Sequence, residues 1–460
     1  MAGIGFKLRK LSQQDNLLGI SQGFLHSMLA TSGPWLLTVI ALGGMAALGG
    51  FQADNHALWE FRLIVIYNFA FSLVFTGPFM VLATRCLSDM IHDQRVNQAP
   101  SMLLGAIASA LAVQLPLVIG FYWFYADLPF LVALLATMNY LLVASLWLVS
   151  VFLSALKDYT SVTWAFVAGT VISLSLIYLV PTDGSSNFLI SFNFGLTLTF
   201  FALFAKVISE YPYSFSTPFV FLKKMRPYWQ LVLGGLVYNV SIWIDKWVMW
   251  FAPERVLFDN NMFSYPQYDS AMFMAYLTSI PALTLFFIFV ETNLFEKYLR
   301  YYRDIQNHAD YATIKSNHNG LISALKEGGR DILVIQLSIA IFVILISSQL
   351  FAWFNLDYMQ LSIFRFGVLG GAFHIFSLLL IVILTYFEFR AQALAAQLFF
   401  LISNGLFTWI FMNLGFEYYG FGYFLAALST FALTAWLLYS HIRNLPFWTF
   451  VGTNPSIQNQ

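Results

Sequence analysis

The chain has 460 residues, 59% of them apolar and 10% charged, with zero formal net charge and a mean hydropathy of +0.73. Soluble domains carry about 25% charged residues, so this composition excludes a water-solvated globule and points to the bilayer as solvent. Zero net charge argues against a nucleic-acid partner, which needs a basic surplus, and a single cysteine, Cys86, excludes an internal disulfide or a thiolate metal cage.

Residues 1–20, MAGIGFKLRKLSQQDNLLGI, have a basic start but no small-residue cleavage site. They read as a cytoplasmic or interfacial segment, with Phe6, Leu8 and Leu11 interleaved with Lys7, Arg9 and Lys10; a solvated basic tail fits equally. A spanning helix needs about 20 mostly apolar residues. That ruler gives twelve spans: roughly 21–48, 62–84, 101–124, 128–153, 160–181, 188–208, 229–252, 269–292, 332–355, 363–387, 391–414 and 418–440. The expected architecture is an all-α integral membrane protein with two six-helix lobes, 21–210 and 229–440, around a central cavity. A linker, 211–228, joins the lobes, a cytoplasmic segment, 296–331, interrupts the second, and 441–460 forms a cytoplasmic tail. With the N-terminus inside, 18 of the 22 Lys and Arg fall on the cytoplasmic side. Both termini are therefore expected in the cytoplasm.

The first span contains TSGPWLL and the second a near-copy, FTGPFMV. Proline lacks the amide proton a helix needs and collides with the carbonyl four residues back, costing about 3 kcal/mol in a helix interior. In lipid, freed carbonyls survive only against protein or a wet cavity. Glycine and proline are common in membrane helices, so one such motif would be ordinary. Twin motifs, Gly33–Pro34 and Gly77–Pro78, read as cavity-lining bends and hinges. Pro281, in the middle of the eighth span, joins them.

The seventh span carries SIWIDKWVMWF, with Asp245 and Lys246 roughly 24 Å from its inner end at about 1.5 Å per residue. An ionisable group at that depth marks a functional site by default. Consecutive helix residues point about 100° apart, so at least one of the pair is expected to find a partner on another helix. Trp243 and Trp247 recur at helical spacing beside them, and Asn239 lies two turns earlier. These five residues are the transport-path candidates. Against that reading, Lys246 can snorkel outward and the tryptophans can form an interfacial belt. Arg85 and Glu291, at the inner ends of the second and eighth spans, are candidate gate charges. Asn68, Asn139, Asn239 and Asn404 have the pattern of interhelical amides, and Arg62 and Arg365 that of outer-interface anchors.

Catalytic chemistry has little support. The seven histidines form no HExxH or paired ligand spacing, and no P-loop, GxSxG or dinucleotide fingerprint occurs. His374 reads as a packed hydrogen-bonding residue. Neither an enzymatic activity nor a cofactor or metal is expected.

MAGIGFKLRKL, SGPWLLT, FTGPFMVLATRCLSDMI, SIWIDKWVMWF and SYPQYDSAMFMAYLTSIPALTLFFIFVETNLFEKYLRYY resemble the Pel exopolysaccharide transporter (PelG) family across the whole chain. The resemblance implies a multi-pass bacterial inner-membrane protein of the multidrug/oligosaccharidyl-lipid/polysaccharide (MOP) flippase superfamily. It would export the Pel polymer, rich in N-acetylgalactosamine-type sugars, for the biofilm matrix. It also implies membrane partners PelD and PelE and the cytosolic glycosyltransferase PelF, besides membrane lipid. The resemblance carries no site residue. Three other readings stay open: an ion-coupled antiporter, a lipid-linked oligosaccharide flippase on the same fold, and a membrane platform that only recruits a polysaccharide synthase.

Overall fold

The computed structural model describes residues 55–156, 159–179, 184–211, 217–258, 260–353 and 356–452, together with Phe24, Ser27, Met28, 38–45 and Ala47. Gly33, Pro34, the whole of segment 1–20 and residues 453–460 of the tail lie outside the described residues. Eleven described helices are long and apolar enough to cross a bilayer. They correspond to the second through twelfth expected spans; of the first, 38–45 is the longest described stretch and it is helical. The contacts divide the chain into two compact units, residues 32–265 and residues from 266 onward.

The first unit contains α1 (Asn55–His92), α2 (Ala99–Ile119), α3 (Phe130–Leu156), α4 (Tyr159–Leu179), α5 (Ser185–Glu210) and α6 (Trp229–Met249). Helix α1 is its hub, packing on α2, α3, α5 and α6. Helix α6, which follows the 211–228 linker, packs along α1 in this unit. Glycine sets two close crossings. A Cβ on Gly195 would fall 2.3 Å from the Gly169 carbonyl oxygen, which lets α4 and α5 touch backbone to backbone. Gly77 and Gly235 do the same for α1 and α6.

One element departs from an all-helical expectation. After α6, Val256–Leu257 and Phe263–Ser264 pair as a two-stranded antiparallel ribbon, β1 and β2. Asn261 turns it with a positive φ of 59°, a conformation that asparagine tolerates better than most residues. The Tyr67 hydroxyl donates to the Phe263 carbonyl at 2.7 Å, tying the ribbon to α1.

The second unit opens with one span built in pieces: α7 (Pro266–Leu277), α8 (Ile280–Phe289), a π-turn (Val290–Leu294) and α9 (Phe295–Gln306). Next come α10 (Tyr311–Trp353), α11 (Gln360–Tyr386), α12 (Arg390–Leu414) and α13 (Phe421–Arg443). Helix α10 is 43 residues long. About 20 residues suffice to span, so its first half projects beyond the membrane beside α9. This accounts for segment 296–331, which is a helical hairpin docked on the bundle. Leu294, Tyr301, Ile314 and Leu321 share an apolar cluster with Leu384, Ile442 and Leu445. His318 Nε2 lies 2.8 Å from the Ile442 carbonyl oxygen, and Asn317 Nδ2 donates to Asp304 at 2.7 Å.

Candidate functional site

The α1–α6 pair positions most of the sequence candidates. The two helices run antiparallel, so rising numbers on one meet falling numbers on the other. Tyr67 stacks on Trp250 at 4.8 Å between ring centroids, and Phe71 stacks on Trp247 at 5.1 Å, both within 11° of parallel. Further along, a Cβ on Gly77 would come 2.2 Å from Asn239 Nδ2 and 2.8 Å from the Gly235 carbonyl oxygen. Only glycine permits this approach. Helix α1 runs through Pro78 without interruption. Asn239 Nδ2 donates to the Leu73 carbonyl at 3.2 Å, one residue from the carbonyl that Pro78 leaves without its helical donor. The TGP motif of α1 is therefore a packed crossing, and Asn239 serves as an interhelical amide.

Asp245 is fully buried and Lys246 is 5% exposed. Lys246 Nζ lies 3.0 and 3.2 Å from the two carboxylate oxygens of Asp245 and 3.1 Å from the Ile242 carbonyl oxygen. The 100° divergence of their Cα–Cβ bonds leads one to expect separate partners. The four-carbon lysine stem swings back along the helix, so the two neighbours also meet each other. Moving each ion out of water costs several kcal/mol, which their mutual attraction offsets. Lys246 Nζ also stands 5.9 Å from the Trp243 ring centroid. The indole Nε1 atoms of Trp243 and Trp247 are buried and have no hydrogen-bond partner among the described residues. Two unsatisfied donors on successive turns, beside a buried ion pair, are the features of α6 that packing alone does not account for. A buried donor left unmade costs about 1–3 kcal/mol, so a hydroxyl-bearing ligand that accepts from these indoles would be favoured.

The rest of this unit's polar core is neutral and paired. Asn68 Nδ2 donates to Asn139 Oδ1 at 2.8 Å and to the Ala136 carbonyl at 3.0 Å. Asn139 Nδ2 passes the chain on to Asn193 Oδ1 at 2.7 Å, and the Tyr122 hydroxyl donates to Asn68 Oδ1 at 2.7 Å. Gln114 links Tyr140 (2.9 Å) to Thr76 (3.1 Å). Asn68 and Asn139 are the amides that sequence marks as glue. Tyr122 it does not single out: that side chain is aimed inward by a π-turn, Gly120–Tyr125, and the wide turn has no sequence signature. A shallow cleft lined by Phe69, Trp147, Ser150 and Phe166 is apolar and contains none of the candidates.

In the second unit the helix break falls where Pro281 predicts. Helix α7 ends at Leu277 and α8 restarts with Pro281 in its first turn. Gln336 of α10, fully buried, donates to the freed Thr278 carbonyl at 3.0 Å. Glu291 lies half-buried in the π-turn that follows α8. His374 Nδ1 is 2.9 Å from the Tyr423 hydroxyl, a packed hydrogen bond. Arg365 donates to Ser347 and Ser348, each at 2.9 Å. Back in the first unit, Arg85 lies over the Tyr228 ring at 5.1 Å and 3.6 Å from Asp89. No group of His, Cys, Asp or Glu able to hold a metal occurs among the described residues.

The PelG family model, described as an exopolysaccharide exporter (EPS-E), matches residues 1–450. The chain belongs to the PelG family. Among solved structures, an outward-facing multidrug-resistance MATE transporter of the MOP superfamily superposes with a TM-score of 0.64 at 15% identity, covering 92% of this chain and 95% of that one. A MOP superfamily transporter from Pyrococcus furiosus gives 0.61 at 14% identity, with coverage of 92% and 95%. An inward-facing MATE transporter gives 0.58 at 14%, with coverage of 91% and 99%. No curated protein matches the chain. At these identities the solved structures establish the fold. This PelG chain is a multi-pass membrane transporter in a family of exopolysaccharide exporters, not an enzyme, and it shares its fold with transporters of the MOP superfamily.

Proposed function

We propose that this protein exports the Pel polysaccharide, an N-acetylgalactosamine-rich polymer, across the bacterial inner membrane for the biofilm matrix. Both termini face the cytoplasm in this reading, where PelF makes the polymer and PelD and PelE assemble with the exporter. The observation that carries the proposal is the α6 face. Trp243 and Trp247 offer ring surfaces with unsatisfied N–H donors, the combination that suits a pyranose with an apolar face and hydroxyl rims. Asp245, Lys246 and Asn239 complete the proposed path. Arg85 guards the inner end of this path; in the second unit Glu291 is the gate charge and the Pro281 break supplies the flexible element.

Polymerisation supplies the drive in this account. Among the described residues Asp245 is the one buried acid, and a lysine already neutralises it. Proteoliposomes carrying the exporter and the synthase should release polymer without an ion gradient. A strict requirement for sodium or protons would favour the ion-coupled reading, with Asp245 as its ion-binding group.

A further inference from the structure

The segment that enters α6 has features that neither packing nor transport uses. Residues Val220–Met225 form a 3₁₀ turn, in which residues three apart eclipse one another. One edge is clamped to the bundle. Phe221 is buried, and Lys224 reaches Asp89 at 3.4 Å, where the Tyr228 hydroxyl also donates at 3.2 Å. Just upstream, the Pro218 carbonyl lies so close to α2 that a Cβ on Gly105 would come within 2.0 Å of it. The turn is thus pinned at both ends.

Its outward edge is the opposite in character. Val220, Lys223 and Arg226 follow one another at the eclipsed spacing and are all exposed. Neither cation has an ion-pair partner among the described residues, and the sequence between Glu210 and Asp245 contains no acid. Phe219 and Trp229 flank the edge at 52% and 54% exposure. Three exposed apolar groups beside two unpaired cations, held rigid at the end of a spanning helix, match an interface that is hydrocarbon on one side and anionic on the other.

We propose that this edge is a binding site for anionic phospholipid. Lys223 and Arg226 take the headgroup phosphate, and Phe219, Val220 and Trp229 seat in the acyl boundary. The site does not depend on the cargo. Its test is native mass spectrometry of the full-length protein exchanged against mixed phosphatidylglycerol and phosphatidylcholine micelles. The wild type should retain phosphatidylglycerol selectively, and raising the salt should release it. The K223Q/R226Q variant should lose affinity on the order of 20-fold, at about fivefold per charge. The charge-preserving K223R/R226K variant controls for folding, and W243F should leave lipid retention unchanged even if it stops export. Equal retention of both lipids, or unaltered retention in K223Q/R226Q, would overturn the proposal. So would loss of a bound acidic protein from K223Q/R226Q with lipid retention intact, which would assign the edge to a protein partner.

Discussion

Asp245 and Lys246 are neighbours in sequence and partners in space, which makes their two possible roles separable. Asp245→Asn takes the carboxylate away from a buried ammonium, and breaking a buried pair in this way should destabilise the protein by about 3–5 kcal/mol. Replacing both, as D245L/K246M, removes both buried charges, and such swaps are often neutral for stability. The expectation is that thermal unfolding in detergent returns to the wild-type midpoint in the double variant while export stays impaired. Full recovery of export would reduce the pair to a packing device. The presence of this pair was legible in the sequence because charge at bilayer depth is expensive. Its geometry was not, since a lysine rotamer that folds back on the preceding residue leaves no trace in spacing.

Elements tell a similar story through glycine. In Gly77→Ala the new methyl would collide with Asn239 and the Gly235 backbone. Overpacking of that kind costs about 1–3 kcal/mol, so unfolding should move to lower temperature. Gly329→Ala, on α10 with nothing within 4 Å of the new carbon, should instead stabilise slightly, by up to about 1 kcal/mol. The sequence motif flagged a special backbone in α1 but could not distinguish a bend from a crossing, because both need a residue without a side chain. At the start of α10, Asp310 accepts from the Thr313 hydroxyl and from the Thr313 amide at 3.4 Å. The Thr313 side-chain bond is the chief cause holding the Asp310 carboxyl below its ordinary range. A depressed folded-state value means that the cap contributes above the unfolded value of about 3.9 and is lost as pH falls through the folded one. Hydrogen-exchange protection at 311–314 should therefore be flat from pH 7 to 5 and decline only below about pH 4. Asp310→Asn should keep the cap and abolish that decline.

For the whole molecule, hydropathy and charge bias were enough to count the spans, because the bilayer sets helix length and leaves no alternative to satisfied backbone. Eleven of the twelve are matched by spanning helices among the described residues. Which helices touch was not legible: α6 meets α1 through paired aromatics and paired glycines that only the folded chain brings together. Of the candidate site, the tryptophans and the ion pair could be named from spacing. The amide relay of Asn68, Asn139 and Asn193 was visible only in part, since single mid-span amides do not announce which helix they will meet.

The central claim is that polymer passes along the face of α6 that bears Trp243 and Trp247. A photo-crosslinking amino acid placed at 243 or 247, in membranes actively making polymer, tests it most directly. The account predicts saccharide adducts at both positions and none at Trp164, a 68% exposed residue of α4. Adducts to lipid alone at 243 and 247, under conditions where polymer is being exported, would contradict it.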